Sequence, residues 1–484
     1  MKKNKNLLKF WFTRFLNIPA MHRWITFRKL NKLVKSSASA AIKNIFAPEK
    51  HNFLYVAASC LPYHISGYTS RTQEILKALR EQNSLLNLFV LTRTGYPWDR
   101  RDSLEIPPMD QTFNEFDGIR YDHIRTPANS KLTALYAEQA SLEIEKYIVQ
   151  HKISCVHAAS NHVNALPALI AAKRLGIPFQ YEIRGLWELT RISRMPEFEQ
   201  SHNFKLGLDL EAFVAKHADR VFVISEQMSR YIQKNWHLSP EKIYLLPNCV
   251  SREMTEFRTD EKHNAEKKSE YSFPYKTFTI GYAGSLIVYE GLQTLIKAVD
   301  ILVHHRHLDI HLTIIGDGEY RQSLEQLSDS LNLDSNISFL GRLSPADARS
   351  KQDECDLICI PREPFEVCRI VPPIKLVEAM ALGKCVVIPD LPVFKDETGV
   401  DFKVDSNPGS PSIEDLSQNG SGCIFFHSGD ENSLAEVLFA HMQNPKDLDA
   451  RRVQAREYVL RHRLWNMFIN QMVVPYDGTT DGEL

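Results

Sequence analysis

Two charged residues, Lys375 and Glu378, lie three apart in "VPPIKLVEAMALGKCVV", a stretch otherwise patterned for burial. Pro372 and Pro373 precede them, at the start of a helix where a missing N–H costs nothing. The N-terminus of a helix carries partial positive charge, and Lys375 adds a full one there. Glu378 lies one turn further along the same face. A cation at a helix end can hold a diphosphate, and a nearby carboxylate can accept hydrogen bonds from ribose hydroxyls. An i, i+3 ion pair on a helix surface would explain the charges as well, but not the double proline or the apolar neighbours. Upstream, "FTIGYAGSLIVYEGL" leaves a β-like run through Gly281 and Gly284. "LTIIGDGEYRQSLEQL" repeats the pattern with Gly316, Asp317 and Gly318. Small residues where a strand meets a helix let backbone amides approach a phosphate.

Other polar side chains have weaker claims. His157 and His162 are potential bases near the ends of apolar runs, where a histidine is more often a satisfied structural group. Trp187 in "GLWE" and Trp98 in "GYPWD" could stack on a ligand or fill a core. Asn248 in "LPNCV" fits a structural tie at an interdomain turn. The eight cysteines (60, 155, 249, 355, 359, 368, 385 and 423) are scattered through apolar runs. They read as buried free thiols in a reducing compartment, without a structural metal.

These groups are spread over 484 residues, too many for one core and suited to two or three domains. A content of 43% apolar and 24% charged residues is that of an ordinary globular protein. No stretch approaches the roughly 18 uninterrupted apolar residues of a membrane span, and the start does not read as a secretory signal. Short β-rich runs alternate with amphipathic stretches: "FLYVAAS", "LLNLFVLT", "SCVHAAS", "FQYEIR", "RVFVIS" and "KIYLLPN" first, then "TFTIGYAG", "LDIHLTIIG", "NISFLG", "DLICIP", "KCVVIPD" and "GCIFFH". Runs apolar on both faces suit parallel strands covered by helices. The pattern predicts an α/β chain of two doubly wound, Rossmann-like domains facing a cleft, at 51–251 and 275–445. A basic helical arm (1–50), a charged linker (252–274) and a C-terminal helix and tail (446–484) complete it. Residues 396–422, rich in Pro, Gly, Ser and Asp, are expected to form a surface excursion.

The net charge of −1 hides an asymmetry. Residues 1–48 hold eight Lys and three Arg with no acid, leaving 47 basic against 59 acidic residues in the body, a charge of −12. The arm's mixture of cations, leucines and aromatics suits an anionic membrane surface. Packing on the protein's own acidic body is the alternative, and both readings stay open. Nucleic acid is disfavoured, because the acidic body would repel phosphate.

Taken in order, "GYAGSLIVYEGLQTLIKAV", "IIGDGEYRQSLEQL", "ISFLGRLS", "CDLICIPRE" and "PPIKLVEAMALGKCVV" resemble the second domain of retaining glycosyltransferases of GT-B fold, of the large family 4 type. "CLPYHISGYTSRTQEILKAL", "VHAASNHVNALPALIAAKRLGIPFQYEIRGLWE", "HADRVFVISEQMSRYI" and "KIYLLPNCV" are similar to the first domain. "YEIRGLWE" and "PPIKLVEAMA" look like a bacterial surface-polysaccharide subgroup. The resemblance covers about residues 52–470. It implies that Glu378 holds the donor ribose, Gly316 passes under the nucleoside, and Leu340, Gly341 and Arg342 lie near the base. Gly284, Ser285 and Lys375 would contact the diphosphate; Arg362 of "PREPF" is a further cation of this sequence that could share the cationic work with Lys375. Gly67, Tyr68 and Arg71, with His157, would frame the acceptor side of the cleft. Glu182, Arg184 and Gly185 would face the transferred sugar, so Arg184, Glu182 and Lys375 are the catalytic candidates.

Three positions depart from the family pattern. Ser285 and Glu290 stand near the places of an Arg and a Lys that clamp the diphosphate. Ile370 occupies the place of a second glutamate, for which Glu363 or Glu366 could substitute only in a longer loop. Arg184 stands where a histidine is frequent.

The reaction so implied moves a sugar from a nucleotide-diphosphate donor to a hydroxyl acceptor with retention. Amides, a helix end and Lys375 would stabilise the leaving diphosphate. Front-face attack needs neither a protein nucleophile nor a metal, and no other cofactor is expected. The acceptor would be a glycan or lipid-linked glycan, in bacterial surface polysaccharide or glycolipid assembly. The place would be the cytoplasm, with peripheral contact at the inner face of the plasma membrane through residues 1–48. A nucleotide-sugar 2-epimerase of the same fold and a catalytically silent glycan-binding or scaffold subunit are the rival readings.

Overall fold

A computed structural model describes residues 19–100, 106–256, 277–399 and 420–473. The first domain is an eight-stranded sheet: β1 (Asn52–Ala57), β2 (Asn87–Thr92), β3 (Phe113–Phe116), β4 (Ile119–Asp122), β5 (Cys155–Ala159), β6 (Phe179–Ile183), β7 (Arg220–Val223) and β8 (Ile243–Leu245). Their spatial order is β3-β4-β2-β1-β5-β6-β7-β8. All neighbours run parallel except β3 and β4, a hairpin turning at Asp117-Gly118. Among the described residues the second domain has six parallel strands in the order β11-β10-β9-β12-β13-β14. These are β9 (Phe278–Ala283), β10 (Ile310–Ile315), β11 (Ile337–Gly341), β12 (Leu357–Cys359), β13 (Val386–Pro389) and β14 (Ile424–Phe426). Each sheet reverses its strand order beside the first strand of its domain, β1 or β9. The crevice beyond the strand ends there is where doubly wound sheets bind ligands.

Both faces of these sheets are covered by helices, which is why β1, β6, β7 and β13 are buried along their whole length. Local signals set the helix starts. Ser66 caps the helix Gly67–Gln82 and closes a capping box with Thr69. Asn161 caps His162–Leu175, which ends at Gly176 in the left-handed region. All eight cysteines are free, seven of them buried.

Two features join the domains more tightly than the sequence suggests. One apolar cluster runs from Leu54, Val156 and Ile183 through Ile358 and Leu376 to Phe425, so the halves share a core. And the chain crosses back: the helix Pro445–His462 packs on the second domain, but Trp465, Ile469 and Met472 fill the first domain's cluster with Phe53, Tyr55 and Phe222. Gln180 donates to the Met472 carbonyl at 2.8 Å, and Gln471 to that of Leu245 at 3.0 Å.

The described part of the basic arm lies on the body. In the helix Pro19–Val34, Leu30 is fully buried, Phe27 meets Phe213, and Arg23 and Lys29 pair with Asp209 at 2.7 Å and Glu138 at 2.5 Å. For this segment the acidic body is the partner. Residues 1–18, most of the linker, 400–419 and 474–484 lie outside the described residues. The expected excursion from 396 begins later, because 396–398 complete the helix Pro392–Thr398 and Glu397 is buried. No helix among the described residues is long and apolar enough to cross a membrane.

Candidate active site

The two glycine turns meet face to face at the ends of β9 and β10. Gly284 donates to the Ile315 carbonyl at 2.9 Å, Gly316 to that of Gly341 at 2.8 Å, and Leu286 to that of Asp317 at 3.1 Å. A Cβ at Gly316, whose φ is +133°, would overlap the carbonyl oxygen of Gly284, so only glycine fits. A Cβ at Gly284 would strike Nζ of Lys375. The N–H of Gly284 is thus committed to the turn. That of Ser285, an exposed residue, has no acceptor among the described residues.

Lys375 lies over Gly284 because two groups hold it there. Its Nζ donates to Tyr282 OH at 2.8 Å and to Glu290 Oε2 at 2.7 Å, and stands 4.3 Å from the Tyr282 ring centroid. A Cβ at Gly284 would also lie 2.9 Å from Tyr282 OH, so the phenol and the ammonium share the space above the glycine. The other oxygen of Glu290 accepts from Arg362 at 2.9 Å, while Arg362 also donates to the Val371 carbonyl at 2.7 Å. All three charged side chains are largely buried. Burial alone would raise the Glu290 carboxyl, but Arg362 and Lys375 outweigh it and hold it down at about 2. Burial, helped by Arg362, lowers Lys375 against the pull of Glu290. The cluster carries one net positive charge beside an open amide, the requirement for gripping a polyanion.

The Glu378 carboxylate makes no hydrogen bond or ion pair among the described residues. Burial and then the Glu74 charge push it up to about 7, against Arg349 and Lys375. Gly341 closes β11, and Arg342 beside it is exposed, 3.8 Å from Asp317. Second-domain candidates Gly284, Ser285, Gly316, Gly341, Arg342, Arg362, Lys375 and Glu378 therefore cluster at one end of one sheet.

On the first domain's side, Gly67 begins a helix whose Cβ-less face meets Ile374, 3.2 Å from where a Cβ would lie. Tyr68 is half exposed there, and its hydroxyl fills the space beside Gly185. Burial, against the charges of Arg184 and Arg362, raises the Tyr68 phenol. Glu182, Arg71 and His157, expected in the cleft wall, lie beneath it with at most 3% exposure. Glu182 accepts from Arg71 at 2.9 Å, Arg184 at 2.7 Å and Tyr55 at 3.0 Å. Burial would raise its carboxyl, but Arg184 and Arg71 hold it well below the carboxylate range. Arg184 is also buried, bonded to the Tyr68 carbonyl and to Thr72 Oγ1 at 2.6 Å. These groups can set the shape of the wall. They cannot touch a sugar as placed.

Arg71 carries that wall to the other domain. It donates to the carbonyls of Leu246 and Pro247 and to Asn248 Oδ1, and Asn248 donates to the Pro372 carbonyl at 3.1 Å, immediately before the Lys375 helix. Across the far lip, Arg194 pairs with Glu319, next to the second glycine turn. Ile370 is buried, its carbonyl accepting from Ser225 at 2.7 Å. Glu363 is engaged by Thr294 and Gln293, and Glu366 is exposed.

Sequence reasoning missed the partnership of Tyr282 and Glu290 with Lys375. The alternation along β9 gives Tyr282, but nothing local in the sequence brings Glu290 to Lys375 and Arg362.

Comparison with known proteins agrees with this layout. Residues 66–249 match the family described as glycosyl transferase 4-like domain, and 263–400 that of glycosyl transferases group 1. An uncharacterized glycosyltransferase of Bacillus subtilis, YqgM, is 26% identical over 235 residues, 48% of this chain and 59% of that protein. The chain thus spans less than two thirds of that relative's length, and less still of the other curated relatives it matches. Among solved structures, sucrose-phosphate synthase from Thermosynechococcus elongatus superposes with a TM-score of 0.66 at 14% identity, covering 87% of this chain and 97% of that one. HepE from Anabaena, in complex with UDP and glucose, gives 0.59 at 15% identity over 87% and 98%. The chain thus carries a glycosyl transferase 4-like domain followed by a glycosyl transferases group 1 domain, on the GT-B fold of those structures.

Proposed function

We propose that the protein transfers a sugar from a nucleotide-diphosphate donor to a hydroxyl acceptor with retention at the anomeric carbon. The observation that carries this reading is Lys375, tied through Glu290 to Arg362, held over Gly284 in the first of two interlocked glycine turns and beside the Ser285 amide. As the glycosidic bond breaks, negative charge grows on the diphosphate, and donors already in place stabilise it without reorganising. Lys375 and Ser285 face that charge. Glu378, with its open carboxylate, takes the ribose hydroxyls. Gly316 passes under the nucleoside, and Gly341 and Arg342 border the base.

Tyr68 and Gly185 form the acceptor-side lining. Glu182, Arg71, Arg184 and His157 position that lining from beneath. The acceptor hydroxyl attacks from the face the diphosphate leaves, passing its proton to a departing phosphate oxygen. No protein nucleophile is needed, and the diphosphate's charge is met by cations of the chain. HepE's complex with UDP and glucose supports beginning with uridine nucleotides. A glycan or lipid-linked glycan acceptor and assembly of bacterial surface polysaccharide follow from the resemblance of "YEIRGLWE" and "PPIKLVEAMA".

A panel of nucleotide sugars, read by thermal shift and by release of nucleoside diphosphate, tests the reading on wild type, Lys375→Ala and Glu378→Ala. One selective donor, turned over by wild type and by neither variant, is the expected result. Wild-type turnover in either folded variant removes the assigned site. Epimerised donor without transfer would instead identify an epimerase.

A further inference from the structure

His162, Glu188 and Glu211 come together from three separate helices, away from the cluster around Lys375. His162 is the first residue of its helix, Glu188 lies in the helix Trp187–Ile192, and Glu211 in the helix His202–His217. Their ligand atoms all lie within 4.8 Å of one another. Glu211 is nearly inaccessible. One of its oxygens accepts from the N–H and Nδ1 of His162, at 2.7 and 3.0 Å, and the other from the Tyr181 hydroxyl.

Glu188 is the anomaly. It is 2% exposed, yet its Oε2 has no hydrogen-bond partner among the described residues. Leaving a buried carboxylate oxygen unpaired costs free energy, so such a group needs an explanation. The surrounding helix makes room for it: a Cβ on Gly207 would collide with Glu188 Oε1. Gly207 stands one turn before Glu211 on the same helix, so the cradle for one carboxylate and the origin of the other are built into the same face.

We infer that His162, Glu188 and Glu211 form a binding site for a divalent transition-metal ion that positions the acceptor-side loop. Two carboxylates and one neutral imidazole balance a charge of +2. An imidazole among the ligands favours zinc, manganese or iron over magnesium. Ligand bonds of about 2.0–2.2 Å are within reach of small side-chain rotations from the present spread. The ion takes the place of the Nδ1 proton between His162 and Glu211: from the imidazolium form that proton leaves to solvent, and from the neutral form it is returned at Nε2, so the ligand is a neutral imidazole in either case. The Tyr181 hydroxyl remains behind as a donor to Glu211, the outer support that metal-ligating carboxylates commonly have. Glu188 follows Gly185 by three residues, so fixing it fixes the loop on which Arg184 and Gly185 lie. The role is positional, because none of the three residues belongs to the diphosphate cluster.

The full chain, purified without added metal or chelator, provides the test. Elemental analysis is expected to find close to one divalent transition ion per chain. Dialysis against EDTA lowers Tm by several degrees, and Zn2+ or Mn2+ restores it where Mg2+ does not. Glu188→Gln loses both the ion and the response, and Gly207→Ala weakens binding at least tenfold. Should these variants fail to fold, Co2+ added to EDTA-treated wild type supplies an independent reading through visible ligand-field absorption. A wild-type Tm indifferent to EDTA and to Zn2+ and Mn2+, with no Co2+ spectrum, overturns the inference. So does a folded Glu188→Gln that holds as much metal as wild type.

Discussion

Replacing Glu290 with glutamine keeps its shape and removes the charge that Arg362 and Lys375 share. The carboxylate lies 2.9 and 2.7 Å from those cations, with side-chain exposures of only 5, 8 and 16%. At an effective dielectric of about 20, each contact near 3 Å carries roughly 5 kcal/mol of attraction before desolvation is counted. Breaking a buried pair by removing one partner typically costs about 3–5 kcal/mol, because the surviving charges stay buried without compensation. The expected loss in Glu290→Gln is in that range, seen as a Tm lower by roughly 3–5 °C for a chain of this length. Anion binding should move the opposite way. In wild type a diphosphate shares the two cations with Glu290, whereas in the variant it meets them uncompensated. Inorganic pyrophosphate, a probe that does not depend on the base, should bind at least about tenfold tighter to the variant, equivalent to about 1.4 kcal/mol. Calorimetric titration and thermal unfolding with and without pyrophosphate measure both effects. An unchanged Tm together with equal or weaker pyrophosphate binding would refute the view that Glu290 holds these cations ready for a diphosphate.

Gly284→Ala places a methyl group against Lys375 Nζ, so donor turnover should fall at least about a hundredfold while Tm drops by only a few degrees; unchanged turnover would show that Lys375 need not lie over the turn. Arg71→Lys cannot reproduce the fork that reaches Glu182, Leu246, Pro247 and Asn248. It should cost about 2–4 kcal/mol in urea unfolding, and a loss below 0.5 kcal/mol would remove the domain-linking role. Burial, then the Asp396 charge against the larger pull of Arg463, leaves the Glu397 carboxyl pushed up to about 7 from its ordinary value near 4.5. The folded state therefore holds a proton that the unfolded chain releases, so its contribution is full below about 4.5 and lost as pH rises through 7. Glu397→Gln should flatten that slope and gain on the order of 1–3 kcal/mol at pH 8. A steeper decline in the variant than in wild type would contradict the assignment.

Much of this was legible in the sequence for identifiable reasons. Strands buried on both faces appear as unbroken apolar runs, and Ser66, Asn161 and Gly176 mark helix ends through short-range chemistry. Gly284, Gly316, Lys375 and Glu378 stood out because strand-to-helix turns and helix starts are local objects. The hairpin of β3 and β4 went unread: "FNEFDGIRYD" alternates over only four residues a side. The family resemblance sets Arg71 at the cleft and Glu182 toward the transferred sugar, and His157 ends an apolar run beside them; all three lie beneath the surface. Sequence position cannot distinguish a side chain pointing into the cleft from one pointing under its floor. Glu290 and Lys375, 85 residues apart, meet only because β9 and the helix Ile374–Ala381 converge. The Glu188 cluster was invisible for the same reason, with ligands drawn from three helices.

The return of the chain to its first domain has a consequence for biosynthesis. Trp465, Ile469 and Met472 complete a cluster whose other members, Phe53, Tyr55 and Phe222, leave the ribosome hundreds of residues earlier. Until those last side chains arrive, the first sheet exposes an apolar face that its own segment cannot cover. Domains generally fold as units in order of synthesis; here the domain made first is finished by residues made after the second. A fragment ending near residue 445 should therefore aggregate even though both sheets are present in full, and the nascent chain is a natural client for chaperones throughout its elongation.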